Sequence, residues 1–140
     1  MRSSLSAIFA FMVPVLVTAA DVELFSTSMH KESAAPGVRL NYSMTFTEIE
    51  RGEATSIVEI VYTPSRNPDE VDVLRGACGL MKARGEKFML STLRVVSREP
   101  LREEITFVKS APEDFWKQMA AGIVSLTECE KNWLPKVPAN

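Results

Sequence analysis

Few residues in this chain can do chemistry. His30 is the sole histidine, so any Ser-His-Asp or Cys-His nucleophile would have to recruit it. No partner stands at a telling spacing, and Met29-His30 offers a soft ion one thioether and one imidazole, short of a metal site. Carboxylates come in pairs: Glu48 and Glu50, Asp69 and Glu70, Glu103 and Glu104, Glu113 and Asp114. General acid-base work needs two carboxyls in contrasting environments within one cleft. Asp69, Glu70, Glu113 and Asp114 are instead expected at helix N-termini, where the helix dipole favours negative charge. Gly76 and Gly79 fall inside a helical pattern rather than a phosphate loop. Each costs a helix about 1 kcal/mol against alanine, and close approach of another backbone, marking a contact surface, is one use that accounts for them. Trp133 and Leu134 are the other candidate contact residues, as a partner-binding tail or as large apolar groups packed back over an open sheet face. The residues predict no catalytic centre, no cofactor site and no bound metal.

Cys78 and Cys129 are the two cysteines, and an even count in an exported chain favours a disulfide. Closing that loop would contribute on the order of 4 kcal/mol in the chain-entropy account, comparable with the net stability of a small domain. Export is read from residues 1–20, MRSSLSAIFAFMVPVLVTAA. Arg2, an apolar run from Leu5 to Val17, and Thr18-Ala19-Ala20 match a cleavable signal peptide, cut after Ala20 or Ala19. A membrane span needs roughly 20 predominantly apolar residues, whereas this core is shorter and contains Pro14. No cysteine follows the cleavage region, which disfavours a lipid anchor. The expectation is a periplasmic or secreted protein with no stable membrane span. Cleavage removes Arg2 alone among the charges, leaving 15 basic against 18 acidic residues. Lys and Arg are scattered rather than clustered, which argues against nucleic acid as a partner.

The elements that must position these residues follow from periodicity. Residues 21–37 form a poorly patterned leading segment ending in Ser33-Ala34-Ala35-Pro36-Gly37, a turn signal. Val38, Leu40, Tyr42, Met44 and Phe46 alternate with polar residues, predicting a strand with one buried face and an edge open to strand addition. Val58, Ile60 and Tyr62 predict a second strand over 55–63. Asn67, Pro68 and Glu70 then read as a capping box, and the helix runs to Gly85 with Val71, Val73, Leu74, Ala77, Cys78, Leu80 and Met81 on one side. Asp72, Arg75, Gly76, Gly79 and Lys82 share the other. Strands are expected over 87–97 and 104–109, the latter with Ile105 and Phe107 inward. A second helix follows Ser110-Ala111-Pro112-Glu113, and residues 132–140 form an extended tail. The order ββαββα over a single domain, 38–131, predicts an α+β two-layer sandwich: a mainly antiparallel sheet with two helices on one face.

The stretch from Glu70 to Phe88, an aliphatic-Arg-Gly-Ala helix ending in Gly85 and running into an aromatic-bearing strand, resembles the core of small uncharacterised bacterial cell-envelope proteins. The resemblance implies a bacterial periplasmic setting and no particular chemistry. Many such relatives are lipoproteins, from which this chain departs by lacking the attachment cysteine. Together these readings lead to an exported noncatalytic domain that binds a protein or cell-envelope component. The alternative is a small secreted hydrolase using carboxylates or His30.

Overall fold

Alternation of apolar and polar side chains builds most of an antiparallel sheet. The computed structural model describes residues 21–35, 38–63 and 68–136; the expected signal peptide lies outside the described residues. In chain order the elements are β1 (Ser26–Ala35), β2 (Val38–Arg51), β3 (Thr55–Thr63), α1 (Glu70–Arg84), β4 (Phe88–Leu90), β5 (Arg94–Arg98), β6 (Leu101–Val108), α2 (Phe115–Ala120), β7 (Ile123–Ser125) and α3 (Leu126–Asn132). The strands lie in the order β1-β2-β3-β6-β4-β7, with β5 also paired to β6. Every pairing is antiparallel. The α+β class is as expected; the order is not ββαββα, and the described residues hold three helices rather than two.

Each departure has a local cause. The leading segment supplies β1, in which Thr27 and Met29, like Phe25 just before it, are half-buried while Ser26, Ser28 and His30 are exposed. Threonine among the inward positions blurs the alternation, and pairing with β2 decides the strand. Consequently β2 is bonded to β1 over 38–47 and to β3 from Ser43 onward, so the expected open edge is closed over 43–46, while residues 38–42 are paired on the β1 side alone among the described residues; β1 is an edge strand. The expected strand over 87–97 breaks at Ser91-Thr92, so that β4 meets the end of β6 while β5 meets its start. The expected C-terminal helix breaks at Gly122, whose φ of 67° is easy for glycine alone. Residues 123–125 become β7 against β4, and the Glu128 N–H donates to Ser125 Oγ to start α3. Past α3, the Leu134 N–H donates to the Cys129 carbonyl, so Trp133 and Leu134 turn back against the core instead of extending away.

Helix α1 begins with Asp69, whose carboxylate accepts from the Val71 N–H at 2.9 Å; Asn67 lies outside the described residues. It ends as expected at Gly85, in the left-handed region at φ 71°. Helix α2 is capped by Asp114, which accepts from the Lys117 N–H, four residues beyond the expected Ser110. The core gathers Met44 and Phe46 of β2, Val58 and Ile60 of β3, Ile105 and Phe107 of β6, Met89 of β4, and Val73, Ala77, Leu80 and Met81 of α1. Cys78 and Cys129 are disulfide-bonded with Cα atoms 5.5 Å apart, joining α1 to α3 inside this core.

The side of α1 expected to be polar is only partly solvated, with Arg75 and Lys82 exposed. Asp72 and Gly76 are buried, Asp72 accepting from Lys31 Nζ of β1 at 2.6 Å and from Arg75 at 3.3 Å. A Cβ at position 76 would stand 2.5 Å from Cδ2 of the Phe46 ring, and one at position 79 would stand 2.8 Å from Cζ of Phe25. The two rings meet edge to face with centroids 6.3 Å apart. Aromatic side chains, not another backbone, account for the two glycines. Alanine at 76 would gain about 1 kcal/mol of helix propensity but must displace a buried ring, a strain of typically 1–3 kcal/mol. Gly76→Ala is therefore expected to lower the urea midpoint, and Gly79→Ala to lower it less because Phe25 is only half-buried. An increase in both midpoints would show that propensity outweighs the ring contacts.

Candidate functional site

The inward face of the sheet is mainly apolar but carries two carboxyls along one cross-strand row. Glu48 of β2 stands opposite Val58 of β3, and Val58 stands opposite Glu103 of β6. The same alternation that turns Met44 and Phe46 inward turns Glu48 inward, and the one that buries Ile105 and Phe107 places Glu103 with them. The two carboxyls have opposite fates.

Glu48 is 1% exposed and fully partnered. It accepts from Arg51 Nε at 2.8 Å, from Ser56 Oγ at 2.6 Å and from the Phe25 N–H at 3.0 Å. Arg84 lies 3.6 Å away and also donates to the carbonyls of Gly52, Glu53 and Thr55, with its guanidinium over the Phe107 ring. Burial pushes the Glu48 carboxyl up, but the hydrogen bonds from Arg51, Ser56 and Phe25 and the Arg51 charge outweigh it and hold the group at about 2. This network ties the β2–β3 turn to the end of α1; it is a structural bolt.

Glu103 lines an open cleft of about 540 Å³ bounded by the start of α1, the β4–β5 turn, β6 and β7. Val73, Leu74, Leu93, Leu101 and Val124 form its apolar walls, with Pro68, Glu70 and Ser91 completing the lining. Among the described residues, Glu103 Oε2 is the buried side-chain oxygen without a hydrogen-bond partner. Burial pushes its carboxyl above the ordinary value. Its neighbour Glu104 points to the opposite face, where hydrogen bonds from Arg94 at 3.0 and 3.1 Å pull it down. A volume in the range of roughly 300–1,000 Å³, apolar walls and one or two placed polar groups are the usual composition of a small-molecule site.

The other residues singled out by sequence are dispersed. Gly79, Trp133 and Leu134 meet at a second cleft of about 430 Å³ with Phe25, Met29 and Arg75, while Gly76 lies beneath Phe46 and is absent from its lining. Asp69 and Asp114 cap helices, and Glu50 and Glu113 are exposed. A register shift between Glu48 and Glu50 separates that pair. His30 lies on β1, outside both linings. Among the described residues no group of three or more His, Cys, Asp or Glu could hold a metal, and no helix is long and apolar enough to cross a membrane. Extending the 104–109 strand back by two alternations would have placed Leu101 and Glu103 inward, the signal that sequence reasoning passed over. Comparison with protein-family models, curated proteins and solved structures returned no match.

The two carboxyls predict opposite pH dependences. Glu48 titrates lower in the fold than its ordinary 4.5, so its contribution is present above that value and is lost as pH falls toward about 2, a change on the order of 3 kcal/mol. Glu103 titrates higher in the fold, so stability declines as pH rises from 4.5 through the raised value. Urea unfolding between pH 2 and 7 should show Glu48→Gln flattening the acid limb, while Glu103→Gln gains on the wild type as pH rises. Parallel curves for all three proteins would contradict both assignments.

Proposed function

We propose that this chain is an exported, noncatalytic domain that binds an apolar component of the cell envelope in the cleft above β6. The observation that carries the reading is the wall composition: five aliphatic side chains around an open cleft whose polar groups are Glu70, Ser91 and Glu103. Export is supported by the signal-like residues 1–20 and by the Cys78–Cys129 disulfide, which suits an oxidising compartment. The resemblance of residues 70–88 to envelope proteins points the same way. In this reading α1 and α3, clamped by the disulfide, act as a helical layer over the sheet in a two-layer frame, and the cleft lies along its margin. Burial of apolar ligand surface against these walls would supply the affinity, and the carboxyls would orient the ligand.

One observation favours a second reading as a small hydrolase: Glu70, exposed, and Glu103, half-buried with Oε2 inaccessible, share the cleft in contrasting environments. A single experiment separates the two. The neutral apolar probe N-phenyl-1-naphthylamine is expected to brighten on the full chain and to lose at least tenfold in affinity when Val124→Trp fills the cleft or Leu93→Glu charges its wall. Unchanged probe binding in both variants would place the ligand elsewhere. Turnover of aliphatic p-nitrophenyl esters that vanishes in Glu103→Gln would instead establish the hydrolase.

A further inference from the structure

The cleft that takes an apolar component in the reading above also specifies a head group, and the following rests on that reading. Native chains leave few buried polar atoms without partners, and this one surrounds Glu48 with donors. Across the same row Glu103 Oε2 is buried with none. Arg94 of β5 and Arg102 of β6 are committed on the outer face, to Glu104 and Glu59 respectively, each at about 3 Å. No basic side chain is in the lining, and Glu70 adds a second carboxyl to it. The positive end of α1 is already answered by Asp69 at its N-cap and Asp72 in its first turn. A ligand with an anionic head would meet two carboxyls and no cation; an ammonium would supply the donor that Glu103 lacks.

We infer that the ligand of this cleft is a cationic amphiphile, an aliphatic body between Leu74, Leu93, Leu101 and Val124 with an ammonium head that donates to Glu103. A charge-assisted hydrogen bond in a half-buried site should make the ammonium compound about ten- to a hundredfold tighter than the matched alcohol. Each methylene added to the body should tighten binding about fourfold until the cleft is filled.

The test is calorimetric titration of the full chain at neutral pH with n-octylammonium, n-octanol and n-octanoate. The inference expects the order ammonium, then alcohol, then carboxylate, and expects Glu103→Gln to remove the ammonium preference while leaving the alcohol affinity within about twofold. Equal binding of ammonium and alcohol, tightest binding by octanoate, or an ammonium preference that survives Glu103→Gln overturns it while leaving the apolar cleft standing. Binding by none of the three overturns the cleft reading itself. Should Glu103→Gln fail to fold, intermolecular NOEs in the unaltered chain decide: contacts from the ammonium-bearing methylene to the Glu103 side chain support the inference, and contacts from the terminal methyl in their place refute it.

Discussion

A phenyl ring occupying the space of a missing side chain sets how α1 lies on the sheet. With Gly76 against Phe46 of β2 and Gly79 against Phe25, the helix comes closer to these rings than a residue with a Cβ would permit without displacing them. The seating is reinforced at both ends. Lys31 reaches from β1 to the buried Asp72 in the first turn, and Arg84 in the last turn gathers the carbonyls of the β2–β3 connection around Glu48. The disulfide then fixes α3 to the helix already seated. With one side of α1 committed to β1 and β2, Val73 and Leu74 are left to face Leu101 and Glu103 of β6, and that gap is the cleft.

The contrast between Glu48 and Glu103 separates architecture from recognition. Both are inward carboxyls flanking the same valine across the sheet. One has lost its solvation to the fold and recovered it from arginine, serine and a backbone amide, so it is held ionised and costs stability only in acid. The other is half-buried, with one oxygen, Oε2, desolvated and without such recovery, an arrangement that disfavours folding by the desolvation of that oxygen. A group kept at the wall of an apolar cleft against that cost is well placed to discriminate between ligands by their head groups, because the discrimination comes from what the ligand donates rather than from added contact area.

Much of the fold was legible from local pattern, and the failures share one cause. Alternation over 38–46 and 55–63, the Gly85 stop and the disulfide pairing were readable because each rests on a periodicity or composition contained in a few residues. Strand β1 was not, because Thr27 interrupts the inward apolar sequence of Phe25, just before the strand, and Met29, and the strand is decided by long-range pairing with β2. The break at Gly122 and the Ser125-to-Glu128 cap were written in the sequence, but an amphipathic spacing running from Phe115 to Leu126 outweighed them. For the site, the helix glycines announced a close approach, though not that aromatic rings would fill it. Glu103 was paired in sequence with Glu104, and adjacent residues on a strand face opposite ways; only the extent of β6 reveals which of the two enters the core.

The proposed recognition rests on Glu103: a half-buried carboxyl whose Oε2 has no partner in the free chain would gain one from an ammonium-bearing ligand. The Glu103 side-chain carboxyl carbon can be followed by NMR through a pH titration of the free chain and of the chain saturated with n-octylammonium. The account predicts a midpoint above the ordinary carboxylate value in the free protein and a clear fall on saturation, since a bound cation favours the ionised form. An ordinary midpoint in the free chain, or one that n-octylammonium leaves unmoved, would contradict it.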